Sequence, residues 1–199
     1  APYQGQSIDV LAKDPNALRL GRSIFGNTCS TCHGSSAQGA IGYPNLTDDI
    51  WHWGGSPERI LETVLDGREG IMPEWGTVLT GMGGPEAIDY TIAYVRTLSA
   101  PETLQNNYMA ARGKKLYEGV CVACHGVDGK GNQVLGAPNL TDEVWLYGSS
   151  EASIVKTILD GRENHMPAHG DILTPVQIKL LTAWVWGLSN KPDAQAQPA

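Results

Sequence analysis

Cys29-Ser30-Thr31-Cys32-His33 and Cys121-Val122-Ala123-Cys124-His125 decide the reading of this 199-residue chain. Two thiols three positions apart stand on adjacent turns, where they can add to the two vinyl groups of one haem. The His that follows reaches the iron from the same side. That spacing reads as c-type haem attachment, and imidazole is a common proximal ligand of haem iron. A redox dithiol would need a strand–helix setting, and a zinc site would not require a His after each pair. All four cysteines fall in the two motifs. The expectation is two covalently attached haem c groups, one on Cys29, Cys32 and His33, the other on Cys121, Cys124 and His125.

Working outward from the motifs, the chain repeats itself. A shift of 94 lays Pro44-Asn45-Leu46-Thr47-Asp48 on Pro138-Asn139-Leu140-Thr141-Asp142. The same shift lays Leu65-Asp66-Gly67-Arg68-Glu69 on Leu159-Asp160-Gly161-Arg162-Glu163, and Met72-Pro73 on Met166-Pro167. Over residues 44–73 it gives 17 identities in 30 positions. The haem motifs themselves align at 92, and a Gly-rich insertion, Thr80-Gly81-Met82-Gly83-Gly84, follows Met72-Pro73 in the first copy only. The break at Ser99-Ala100-Pro101 divides the copies. Two domains are expected, 1–100 and 101–190, followed by a disordered tail, 191–199, that lacks a periodic apolar face.

The local pattern is helical. Asp14-Pro15 opens a helix towards Gly26, Ser56-Pro57 opens one with Ile60, Leu61, Val64 and Leu65 on one face, and Gly67 stops it. Its copy carries Ile154, Val155, Ile158 and Leu159 before Gly161. Pro85 and Thr174-Pro175 open the last helix of each copy. Thr47 and Thr141 are placed to cap short helices through Trp51 and Trp145. No segment alternates as a strand does. The fold expected is all-α: tandem class I cytochrome c domains, each a small helical bundle around one haem.

Each iron needs a sixth ligand. Of the four Met, Met72 and Met166 share a repeat position and each precedes Pro, 39 and 41 residues after His33 and His125. The metal ligands expected are therefore His33, Met72, His125 and Met166, a His–Met set that raises potential. Met as an adaptable core filler is the bland alternative. His52, His165 and His169 are competitors, but none has a repeat counterpart. Arg68 and Arg162, each behind a helix-ending Gly, are candidates for haem propionates or solvated charges. Trp51 and Trp145 are candidate haem walls or ring N–H donors.

Composition sets limits. Hydrophobic residues make up 41% with a single Phe, lean for one large core, so a buried prosthetic group would supply apolar mass. The net charge of −7, without any basic run, argues against nucleic acid and suits basic protein partners. No run approaches the roughly 18 apolar residues of a membrane span.

The run Ala137-Pro138-Asn139-Leu140-Thr141-Asp142-Glu143-Val144-Trp145-Leu146-Tyr147-Gly148-Ser149-Ser150 resembles the di-haem subunit of cbb3-type cytochrome c oxidases. So do Asp160-Gly161-Arg162 and His165-Met166-Pro167-Ala168-His169. The first copy agrees in residues 8–21 and in Tyr43-Pro44-Asn45-Leu46-Thr47-Asp48, and the likeness covers about residues 7–189. Di-haem carriers similar to cytochrome c4 are a more distant match. The resemblance implies an electron relay, not an enzyme by itself, in the periplasm or on the periplasmic face of a bacterial inner membrane. It implies other cytochromes c and oxidase subunits as partners, and Pro44 and Pro138 as the source of the carbonyls that accept from the proximal His rings. Family members normally begin with membrane-spanning helices. This sequence shows none, so membrane association is expected only through a missing anchor or partner subunits. A freestanding di-haem carrier is the alternative function. A di-haem peroxidase fits less well, because it needs an iron with a displaceable position.

Overall fold

The computed structural model describes residues 2–100 and 108–190. The expected tail therefore lies outside the described residues. Most of the chain is helical: α1 (Ile8–Leu11), α2 (Pro15–Thr28), α3 (Ser30–His33), α4 (Pro57–Asp66), β1 (Arg68–Met72), α5 (Gly76–Gly83), α6 (Ala87–Ser99), α7 (Tyr108–Val120), α8 (Val122–His125), α9 (Glu151–Asp160), β2 (Arg162–Met166) and α10 (Pro175–Ser189). No helix among the described residues is long and apolar enough to cross a membrane.

The helix starts follow from the caps. The Asp14 carboxylate accepts from the N–H groups of Asn16 and Ala17, with Pro15 in the first turn of α2. Ser56 and Ser150 cap α4 and α9 in the same way. Thr174 and Gln177 form a reciprocal capping box on α10. Gly67 and Gly161 close α4 and α9 at φ 72° and 70°, a region that costs a residue with a Cβ.

Two expectations need correction. First, Thr47 and Thr141 cap no helix. Thr47 donates through its N–H (2.9 Å) and its hydroxyl (2.7 Å) to Asn45 Oδ1, and Thr141 does the same with Asn139. The Asn side chain offers the backbone a turn in place of a helix. Second, the fold is not purely helical, because β1 and β2 form a two-stranded sheet. Arg-Glu-Gly-Ile-Met and Arg-Glu-Asn-His-Met lack the apolar alternation of a strand. Each pairs with its own repeat copy, a long-range partnership that a local pattern does not carry. The Gly-rich insertion is likewise ordered as the end of α5, anchored by the fully buried Leu79.

The compact units cut across the two sequence copies. Among the described residues, one unit runs to Arg68 and resumes at His165, and the other is Glu69–Asn164. The division at 100/101 would pair α2 with α6 and α7 with α10. In the structure α2 packs on α10, and α6 packs on α7. Helices α6 and α7 are neighbours in sequence, and consecutive elements tend to be adjacent in space.

The first unit buries Phe25, Ile60, Val64, Ile178, Leu181 and Val185. Its α2–α10 crossing is tight. A Cβ on Gly21 would run into the Leu180 carbonyl oxygen and come within 2.7 Å of the Trp184 Cβ. The second unit buries Leu79, Ile92, Leu116, Ile154 and Ile158, with Tyr94 and Tyr117 in an adjoining cluster. Its α6–α7 crossing repeats the device: a Cβ on Gly113 would strike the Tyr90 carbonyl and lie 2.9 Å from the Tyr94 Cβ.

Gly21→Ala and Gly113→Ala should therefore each lower stability, by about 1–3 kcal/mol from overpacking. Gly26 lies on α2 with nothing within 4 Å of the added methyl. Gly26→Ala should instead raise stability by about 0.5–1 kcal/mol. Thermal unfolding of the three variants checks the opposite signs; a gain from Ala at Gly21 or Gly113 would contradict the close crossing.

Candidate haem sites

Each haem motif is built at the end of a helix. Cys29 is the residue after α2, its N–H still bonded to the Phe25 carbonyl at 2.8 Å. The next turn, α3, carries Cys32 and His33, both of whose N–H groups return to the Cys29 carbonyl (3.2 and 3.0 Å). The second copy repeats this: Cys121 N–H bonds to Tyr117 O (2.9 Å), and Cys124 and His125 N–H bond to Cys121 O (3.2 and 2.9 Å). One thiol thus ends a helix and the other stands with the imidazole on the following turn. None of the four cysteines is in a disulfide. Before a haem is attached, burial pushes the Cys29 and Cys121 thiols up to about 11.

The imidazoles are fixed from behind. His33 Nδ1–H donates to the Pro44 carbonyl at 3.1 Å, and His125 Nδ1–H to the Pro138 carbonyl at 3.1 Å. This bond leaves Nε2 as the lone-pair nitrogen and sets the ring angle, as in most metal-bound histidines. Burial holds both rings below the ordinary histidine pKa, against the opposing effect of the carbonyls, so each is neutral at neutral pH. A neutral ring is the form that ligates iron.

The loops explain the repeated Pro-Asn-Leu-Thr-Asp. Gly39 and Gly131 sit at φ 72° and 78°, and in each case a Cβ would lie 2.7 Å from the carbonyl carbon of the key proline. Their own N–H groups bond to the His33 and His125 carbonyls, both at 2.8 Å. Asn45 and Asn139 turn the chain after the proline, and Leu46 and Leu140 pack inward. Asp48 and Asp142 accept from the N–H of Ile50 and Val144, both at 3.0 Å.

The methionines change partners. Met166 packs against the Phe25–Ile60–Val64 core together with Cys29 and Trp51. Met72 packs against the Leu79–Ile92–Ile158 core together with Trp145. Sequence distance had matched each motif with the Met of its own copy. Packing matches it with the Met of the other copy. The first unit holds Cys29, Cys32, His33, Pro44, Trp51, Arg68 and Met166; the second holds Cys121, Cys124, His125, Pro138, Trp145, Arg162 and Met72. Met82 and Met109 are exposed and join neither core. His165 is exposed, whereas His169 is buried in the first unit.

Arg68 and Arg162 share one scaffold that sequence reading passed over. Their Nε atoms donate to Thr63 and Thr157, both at 2.9 Å. An aromatic ring lies against each guanidinium, Trp53 at 5.2 Å and Tyr147 at 4.1 Å. They differ at the tip. Arg68 Nη1 bonds to Glu62 at 2.9 Å, and Arg68 Nη2 is buried with no partner. Arg162 Nη2 donates to the Ser153 carbonyl at 3.4 Å. An unpaired donor on a buried cation costs free energy until an anion meets it. A haem carboxylate supplies that anion, so the residues of the first unit fit the group. The Thr pair was legible in retrospect, since Thr63 and Thr157 are among the repeat identities.

Comparison with known proteins agrees with this chemistry. The family model for cytochrome c oxidase, cbb3-type, subunit III matches residues 16–95 and 109–185, the two sequence copies. The cbb3-type cytochrome c oxidase subunit CcoP of Rubrivivax gelatinosus is 41% identical over 197 residues, covering 99% of this chain and 63% of the relative. The subunit FixP of Bradyrhizobium sp. (strain ORS 278) is 45% identical over 196 residues, 92% of this chain and 67% of the relative. The chain spans about two-thirds of the length of these curated relatives. With two matched segments, each carrying one Cys-x-x-Cys-His, the chain belongs to the cbb3-type cytochrome c oxidase subunit III family and is a c-type cytochrome that takes two haems.

Proposed function

We propose that the chain relays electrons between two haems as part of the subunit through which electrons reach a cbb3-type oxidase. It works on the periplasmic face of a bacterial inner membrane, takes electrons from a donor cytochrome c, and passes them to other oxidase subunits. It is not itself the oxygen-reducing site. The observation that carries this reading is that each compact unit gathers one thiol pair, one carbonyl-pinned imidazole and one half-buried Met.

In this reading His33 and Met166 would hold the iron of the first haem, and His125 and Met72 that of the second. Each haem, when bound, supplies a one-electron iron couple. The protein does the rest. Pro44 and Pro138 hold the imidazoles in the ligating tautomer. The thioether of Met, a weak and soft donor, favours the reduced iron and raises potential. Trp51 and Trp145 wall the slots and exclude water. With both a His and a Met to hold each iron, neither site would leave a position for peroxide, which is why a relay is favoured over a peroxidase. The acidic surface, with its net charge of −7, suits encounter with a basic donor.

The direct test mixes the fully reduced di-haem protein with oxidase that lacks this subunit. Reoxidation of both haems that depends on oxygen and slows with added salt is expected. A protein that stays reduced, or that turns over peroxide alone, would sink the reading.

The unpaired Arg68 tip gives a second expectation. Arg68→Gln should lower the potential of the first haem by about 40 mV, roughly 1 kcal/mol for one electron. Arg162→Gln should do less to the second haem, because its Nη2 already has the Ser153 carbonyl. Spectroelectrochemical titration reads both values; an unmoved first potential in a folded Arg68→Gln protein removes Arg68 from the site.

A further inference from the structure

We propose that His169 is a reserve iron ligand for the first haem, which takes the distal position whenever Met166 leaves it. The inference rests on the assignment of Met166 as the resident ligand. It begins from a side chain that the relay reading does not use. His169 is only 8% exposed, and its Nδ1 is buried without a hydrogen-bond partner. The two proximal imidazoles each have a proline carbonyl at Nδ1. Leaving a buried polar nitrogen unpaired costs about 1–3 kcal/mol. A neutral imidazole nitrogen is also among the commonest metal ligands in proteins.

The placement is fixed. His169 follows Met166 by three residues, just after β2. Its N–H donates to the Val64 carbonyl at the end of α4 (3.0 Å), and its own carbonyl accepts from Ile172 and Leu173 (3.1 and 2.9 Å). The backbone is therefore held on both sides, and the ring remains in the first unit with Met166 and His33.

The second copy supplies the contrast. Trp75 stands where His169 stands, three residues after Met72, and its N–H donates to the Ile158 carbonyl at 2.8 Å, the counterpart of Val64. The scaffold is the same and the side chain differs. An indole has a donor and no lone pair to offer iron. One unit thus keeps a second ligand beside the distal Met, and the other has a wall. His165, beside Met166, is exposed and takes no part.

The consequence is unequal protection. Loss of the distal Met should open the second haem to small ligands and leave the first closed. The experiment uses the di-haem protein with Met166→Leu, Met72→Leu and Met166→Leu/His169→Leu, all checked for two covalent haems by mass and for fold by far-ultraviolet circular dichroism. The thioether bonds retain haem when a distal ligand is lost, and Met166→Ala replaces Met166→Leu if the latter fails to mature. Magnetic circular dichroism and electron paramagnetic resonance report the ligands, and carbon monoxide binding to the reduced protein reports an open position.

Met166→Leu should lose one haem's share of the Met-to-iron band, gain a low-spin bis-imidazole signature, and bind no more carbon monoxide than the parent. Met72→Leu should lose the same share and bind carbon monoxide at one haem. The double variant should bind it as Met72→Leu does. A high-spin first haem that binds carbon monoxide in Met166→Leu would overturn the role of His169. An undiminished Met-to-iron band in Met166→Leu would instead overturn the assignment of Met166, and this inference with it.

Discussion

Two helix crossings with no room for a Cβ govern this molecule. Gly21 lets the backbone of α2 meet α10 at Leu180 and Trp184, and Gly113 lets α7 meet α6 at Tyr90 and Tyr94. Packing at that distance is specific, because protein interiors are dense and one extra methyl is felt. The crossings decide which C-terminal helix completes which motif-bearing helix. That choice fixes which Met lies in the same unit as which imidazole. The chain leaves the first unit after Arg68 and returns at His165, so β1 and β2 are the segments along which it passes out and back. A left-handed glycine, Gly67 or Gly161, stands at the head of each.

Within that frame the two sites are copies, down to bond lengths. Thiol spacing, the Nδ1–carbonyl bond, the Asn turn and the Arg–Thr pair recur. Among the differences are the neighbours of the two Arg side chains and the residue three positions after each Met. Glu62 stands beside Arg68, where Lys156 occupies the matching position and pairs with Asp160 at 2.8 Å. Trp53 is matched by Tyr147, and His169 by Trp75. A relay needs two centres of similar build and unequal properties, and these substitutions change charge and ligand supply without touching the scaffold. The arginine of Arg68 holds the Glu62 carboxyl below its usual range, so that pair stays ionised at neutral pH.

Much of the site was legible in the sequence because it is local. The haem motif and the glycine stops depend on residues within one loop or helix end, whereas the proline carbonyl was legible only through the family resemblance. The helices were legible from their caps and apolar faces. The exchange of partners was not. Gly21 is equally compatible with Tyr90 and Tyr94 on α6 or with Leu180 and Trp184 on α10, because those pairs are repeat equivalents 90 residues apart. A repeat that makes the copies interchangeable hides which copy is used. The strands were hidden for a related reason, since each finds its partner in the other copy. Thr47 misled because a capping residue and an Asn-turn residue look alike until the helix fails to follow.

The exchange is tested most directly by cutting the chain between the copies. A protease site placed within residues 101–107 would separate a fragment carrying residues 1–100 from one carrying residues 108–199. Exchange predicts that the cut pieces stay together under native conditions, keep both Met-to-iron bands, and lose them together when separated by denaturant. Fragments that part without denaturant, each folded and each retaining its own His–Met spectrum, would contradict it.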